Sequence, residues 1–245
     1  MRQFAIIGLG SFGTRMLEKL SEITDELIIL DKDADTIERY KELAGNAYVV
    51  DAIDDEALRR VLPEGLDAAI VDMGGNIEAA ILVTNSLKKL GVREIIVKAD
   101  SEERGEVFSL VGATRVVYPD KEAAARIVPL LVSPSLFNFM PIGANLVMAE
   151  VRIPENYAGM SLIEANLRQR HGINVIALRS ESSQEYRFFS ADYKLQADDI
   201  LLVAGKEREV IDFSGVEERK ARGGLGDIFA GLLMGKGSEK HGKKK

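Results

Sequence analysis

Six short apolar runs leave few folds open to this chain. They occupy residues 4–7, 27–30, 47–50, 68–71, 95–97 and 116–118, and each is apolar on consecutive positions. A strand with one face in water alternates, whereas a strand covered on both faces reads as a continuous apolar run. The runs are too brief for buried helices and so predict strands. Between them, stretches such as 36–43 and 77–90 place apolar residues at helical spacing. Strand and helix therefore alternate, which predicts an α/β fold: a Rossmann-like doubly wound parallel sheet with helices on both faces. Six such units end near Val132.

The texture then changes. Pro129, Pro134 and Pro141 fall among Ser133, Ser135 and Asn138, which predicts the end of the last helix and a connector. A boundary near Leu136 divides a first domain, 1–136, from a second, 137–213. In the second, Val147, Ala149, Val151 and Ile153 alternate with Met148, Glu150 and Arg152, the period of a half-exposed strand. Residues 161–170 read as one short helix, 175–178 as a strand, 186–189 as a returning strand and 200–203 as another. This is a small α+β domain. Residues 214–245 read as a disordered tail, with Phe229, Leu232 and Leu233 in an apolar patch and Lys240, Lys243, Lys244 and Lys245 at the end.

Bulk properties exclude several functions. A chain of 245 residues with 46% hydrophobic content can bury a sizeable core. No stretch has the eighteen or so uncharged apolar residues of a membrane span, and no signal peptide opens the chain. With no cysteine, disulfides and thiolate metal sites are excluded. These features predict a cytoplasmic protein. The net charge of -7 argues against a nucleic-acid partner.

Chemistry enters at the first turn. Gly8, Gly10 and Gly13 spell G-x-G-x-x-G directly after the first strand, with Ser11 and Phe12 inside the motif. Glycines there permit a tight turn, backbone approach to a diphosphate, and close packing of helix on strand. Asp31 closes the second strand about twenty residues on, beside Lys32, where a carboxylate can accept from both ribose hydroxyls of an adenosine. It would also repel a 2′-phosphate. The alternative role for Asp31 is to cap the following turn. Asp51, followed by Ala52, ends the third strand, as an adenine contact or as a cap near Asp54. Met73 and Gly74 follow the fourth strand, and Lys98 ends the fifth, placed to approach a phosphate or solvent.

At these residues the chain resembles the regulator-of-potassium-conductance family, the TrkA- and KtrA-type subunits of potassium uptake systems. The resemblance runs from about Arg2 to Phe213. Beyond the glycine motif and Asp31, it is carried by residues 45–52, Val97-Lys98-Ala99, and Tyr118-Pro119-Asp120-Lys121-Glu122. In the second domain it is carried by residues 159–164, Leu167-Arg168, residues 172–179 and residues 195–205. It implies a nucleotide-sensing regulatory subunit, not an enzyme, at the inner face of the cell membrane. The implied partner is a potassium-translocating membrane subunit, gated by a homodimer that assembles into a larger ring, an octamer. The implied cofactor is an adenine nucleotide, NAD/NADH or ATP/ADP. Family members that sense ATP often carry an arginine after the second glycine; Ser11 stands there, with Arg15 one turn on, so the choice of nucleotide stays open. The resemblance also implies a divalent cation at Asp120, beside Glu122, or a plain helix-start role for these acids. A small effector, such as a cyclic dinucleotide, would meet Arg168, Arg170 and Arg179 in the second domain.

The rival reading is an NAD-dependent oxidoreductase. Hydride transfer needs an acid or base at the cleft, and the chain has only His171 and His241. It has no Tyr-x-x-x-Lys pair, no G-x-S-x-G elbow, no H-E-x-x-H and no P-loop.

Overall fold

The computed structural model describes residues 2–215, so the expectations for the lysine-rich tail, beyond its first two residues, lie outside the described residues. The chain divides into two compact units, the first ending at Asp120 and the second beginning at Lys121.

In the first unit, strands β1 (Phe4–Ile7), β2 (Leu27–Asp31), β3 (Asn46–Val49), β4 (Ala68–Val71), β5 (Glu94–Lys98) and β6 (Arg115–Val117) alternate with helices. These are α1 (Ser11–Ser21), α2 (Ala34–Tyr40), α3 (Asp55–Val61), α4 (Ile77–Lys89) and α5 (Glu102–Val111), and α6 (Pro119–Val132) begins where the unit closes. The strands are parallel, in the order β3-β2-β1-β4-β5-β6. The chain leaves β1 to one side, returns, and continues on the other, which places a crevice between β1 and β4 at the carboxyl edge of the sheet.

The consecutive apolar pattern has a direct structural cause. Ile6, Ile29 and Ile70 pack with Leu17 of α1 and Ile37 of α2 on one face. Their strand neighbours Ala5, Ile7, Ile28, Leu30, Ala69 and Val71 pack with Leu58 of α3, Val83 and Leu87 of α4 and Phe108 of α5 on the other. The runs of β2 and β4 obey this fully and β1 does so from Ala5 onward, whereas Ile96 of β5 is half-buried. β3 and β6 lie at the sheet edges, where Val49 is exposed and Val116 and Val117 are half-buried, so double coverage does not extend to all six runs as the pattern predicted.

The second unit carries an antiparallel sheet in the order β7-β8-β10-β9, formed by β7 (Leu136–Pro141), β8 (Leu146–Arg152), β9 (Asn174–Ser180) and β10 (Asp199–Lys206). Short helices α7 (Leu162–Ala165), α8 (Leu167–His171) and α9 (Glu207–Phe213) accompany it. The division into compact units falls at the start of α6. α6 continues through Pro129 and ends at Val132, where the run of strand-helix units was expected to end, forgoing the hydrogen bond that a proline nitrogen cannot donate. Two sequence expectations are corrected here. The supposed connector contains β7, which pairs with β8 from Leu136 to Pro141. Residues 161–170 form two helices and not one, because Asn166 adopts a left-handed conformation (φ 45°) that ends α7 and starts α8.

The returning strand expected at 186–189 is also absent. Only Arg187 bridges to Leu178, by a reciprocal pair of hydrogen bonds of 2.8 and 3.0 Å. The segment instead closes over the face of β8 that alternation had assigned to solvent. Glu150 is buried there; it accepts from Arg179 Nε at 2.6 Å and from the Tyr186 hydroxyl at 2.5 Å. Burial works to raise the Glu150 carboxyl, but these two hydrogen bonds and the Arg179 charge outweigh it and leave the group below its ordinary value.

Candidate functional site

A cleft of about 300 Å³ opens at the switch point of the parallel sheet. Of the residues singled out from sequence, Gly8, Gly10, Asp31, Lys32, Asp51, Ala52, Met73 and Gly74 line it, joined by Leu9, Asp33, Thr36, Val50, Ile53 and Asn76 among others. Each wall has a local cause. Gly8 has φ +85°, and a Cβ there would lie 2.0 Å from the Asp72 carbonyl oxygen. A Cβ on Gly13 would lie 2.2 Å from the Gly8 carbonyl oxygen, so α1 packs against the turn only because position 13 lacks a side chain.

Asp31 sits at the end of β2. Its Oδ2 accepts from Leu9 N–H at 2.7 Å and its Oδ1 from Asp33 N–H at 2.9 Å. It thus ties the glycine turn to β2 and also does the turn-capping job weighed as its alternative. An ionised carboxylate offers about four lone-pair positions, so two hydroxyl donors can still be accommodated. Asp33 caps α2 and accepts from the Thr36 hydroxyl at 2.6 Å, which holds its carboxyl below the ordinary value. Asp51 accepts from Ile53 N–H at 3.1 Å, while the cap of α3 is Asp54.

The structure separates other candidates from the cleft. Lys98 lines a smaller adjoining cavity with Asp100 and Arg104, and its ammonium lies 3.8 Å from Asp72 Oδ1. Ser11, Phe12 and Gly13 do not line the cleft walls; the backbone N–H groups of Phe12 and Gly13 each donate to Asp72 Oδ2 at 3.0 Å. Asp72 is only 2% exposed and was not singled out from sequence. The signal was present: Asp72 directly follows the apolar run of β4, as Asp31 closes that of β2 and Asp51 follows β3.

Asp120 is exposed in the first turn of α6. Among the described residues, no group of three or more histidines and carboxylates is placed to hold a metal ion, so the donor set does not fit the cation expected at Asp120. Arg179 is also withdrawn from the effector role, since it is buried against Glu150 and donates to the Ser183 carbonyl at 3.0 Å. Arg168 and Arg170 are exposed on α8. His171 shares a 2.6 Å hydrogen bond with the Tyr157 hydroxyl and packs against Phe213 inside the second unit.

Fold and site together define a Rossmann-like domain with a glycine turn and a strand-end carboxylate, followed by a small antiparallel domain. Residues 4–119 match the TrkA-N domain model and residues 148–214 the TrkA-C domain model. The chain belongs to the TrkA/Ktr family of potassium-uptake proteins, whose two domains it carries in order. It is 32% identical over 218 residues to Ktr system potassium uptake protein C of Bacillus subtilis, covering 89% of this chain and 97% of that one. It is 25% identical over 212 residues to Ktr system potassium uptake protein A of the same organism, covering 86% and 95%. Among solved structures, the GsuK RCK domain aligns with a TM-score of 0.60 at 18% identity, over 88% of this chain and 47% of that one. The GsuK channel bound to NAD aligns with a TM-score of 0.59 at 18% identity, over 95% and 44%. The chain thus spans less than half of those solved chains, and at such identities the likeness establishes the fold. Among the described residues no helix is long and apolar enough to cross a membrane.

Proposed function

We propose that this protein is a nucleotide-sensing regulatory subunit of a membrane potassium transporter, and that it performs no chemical step. The observation that carries the reading is Asp31 at the lip of the switch-point cleft, fixed against the glycine turn through Leu9 N–H. Leu9, Val50 and Ile53 supply apolar surface for an adenine ring, and Asp31 accepts from the ribose. The relatives named for potassium uptake support the transport role, and the NAD complex of the GsuK channel supports an adenine dinucleotide as ligand. In this reading the chain works as a homodimer within a larger ring at the inner face of the membrane. A nucleotide shifts such a ring only through its different affinities for two ring shapes, so a tenfold preference supplies about 1.4 kcal/mol per site. In this reading the groups of the cleft bind and orient a nucleotide and carry out no reaction on it; His171, which a hydride-transfer reading would call on, is hydrogen-bonded to Tyr157.

Thermal unfolding of the purified protein with ATP, ADP, NAD, NADH and AMP in parallel tests this. A true ligand at a hundredfold its Kd stabilises by about 2.7 kcal/mol. Asp31→Ala should lose that gain, beyond any loss of stability measured without ligand. A variant that still responds as the parent does would sink the assignment, as would indifference of the parent to every nucleotide.

A further inference from the structure

In a glycine turn of this type the N–H groups opening the following helix are the donors that meet a phosphate. Here two of them are already taken. Phe12 N–H and Gly13 N–H both donate to Asp72 Oδ2 at 3.0 Å. The first turn of α1 holds no acidic residue of its own, so the anion that satisfies the positive end of α1 comes from the end of β4. The second glycine of the motif serves the same carboxylate: a Cβ on Gly10 would lie 2.5 Å from Asp72 Oδ2 and 2.9 Å from its Cγ. The room that this glycine makes is filled from within the protein.

The surrounding charges reinforce the point. Asp31, Asp33, Asp51 and Asp72 line the cleft, against Lys32 alone. Ser11 stands at the position that opens α1 and brings no cation. The nearby Lys98 lies in the adjoining cavity, 3.8 Å from Asp72 Oδ1, and Arg104 there is paired with Asp100 at 3.0 Å. Because Asp72 is almost fully buried, solvent screens its charge poorly and an arriving phosphate meets it at short range.

We infer that Asp72 is a specificity-determining residue of this cleft, a resident anion that favours adenine ligands of low phosphate charge, such as a dinucleotide with one diphosphate bridge, over those ending in a free triphosphate. The inference rests on the nucleotide-binding reading of the cleft. Asp72→Asn keeps an oxygen for the Phe12 and Gly13 N–H groups and removes the charge. Lys98→Gln removes the partial neutralisation of Asp72 without altering the cleft wall. The two variants act in opposite directions, which separates charge from simple damage to the fold.

The test is calorimetric titration of parent, D72N and K98Q with NAD, ADP-ribose, ADP and ATP in metal-free buffer. D72N should raise the affinity for ATP by about tenfold, that for ADP by less, and that for NAD by no more than about twofold, since repulsion grows with each phosphate charge. K98Q should lower the ATP-to-NAD affinity ratio below that of the parent. Added salt should shrink both effects. Binding by the parent with an unmoved ratio in both variants overturns the inference alone. Absence of binding by every ligand to all three proteins overturns the cleft reading and this inference with it.

Discussion

Removing Glu150 should destabilise the second unit by several kcal/mol, about 3–5, and the size follows from the geometry. Glu150 on β8 and Arg179 on β9 flank the central strand β10 and meet across it at 2.6 Å, with side chains 9% and 6% exposed. In Glu150→Ala the guanidinium keeps the Ser183 carbonyl at 3.0 Å and the edge of the Phe137 environment, 5.8 Å from that ring centre. It loses its counter-charge, and the Tyr186 hydroxyl loses its acceptor. Leaving one partner of a buried pair behind costs about 3–5 kcal/mol. Replacing both, in Glu150→Met with Arg179→Met, exchanges two buried charges for apolar volume and should fall within about 2 kcal/mol of the parent. The assay is a double-mutant cycle in denaturant built from the Glu150→Met and Arg179→Met singles and their double variant, with hydrogen exchange of the Leu201, Leu202 and Val203 amides reporting on the second unit alone. If the two single losses simply add in the double variant, or Glu150→Ala costs under about 1 kcal/mol, the pair is not the coupled unit described.

The same carboxyl predicts a pH dependence. Its folded value lies below the ordinary one, so its contribution is complete above the unfolded value of about 4.3 and is lost as pH falls through the folded value. The denaturation midpoint of the parent should therefore drop more steeply below about pH 4 than that of Glu150→Gln, and parallel slopes would refute this. At the break between α7 and α8, Asn166→Ala places alanine at φ 45° and should cost about 1 kcal/mol, with Asn166→Gly closer to the parent. Equilibrium unfolding of both checks the order, and an alanine variant as stable as the glycine variant would contradict the strain argument.

What could be read directly from the chain was whatever depends on local period and local chemistry. Consecutive apolar residues in 4–7, 27–30 and 68–71 announced strands with two covered faces, and the glycines after Ile7 announced the turn. Since a parallel doubly wound sheet always brings its strand ends to one edge, the sequence alone places Asp31, Asp51 and Met73 at a common cleft, which they line. Tertiary structure alone decided the rest, because it hinged on partners far away in sequence. Period two assigned Glu150 to solvent, and the segment bearing Tyr186 buried it. Helical spacing could not reveal that Asn166 turns left-handed between α7 and α8. Nor could it show that the donors opening α1 are answered by Asp72, at the end of a strand three elements further along the chain order of the sheet, because a hydrogen bond across such a separation leaves no periodic trace in the sequence.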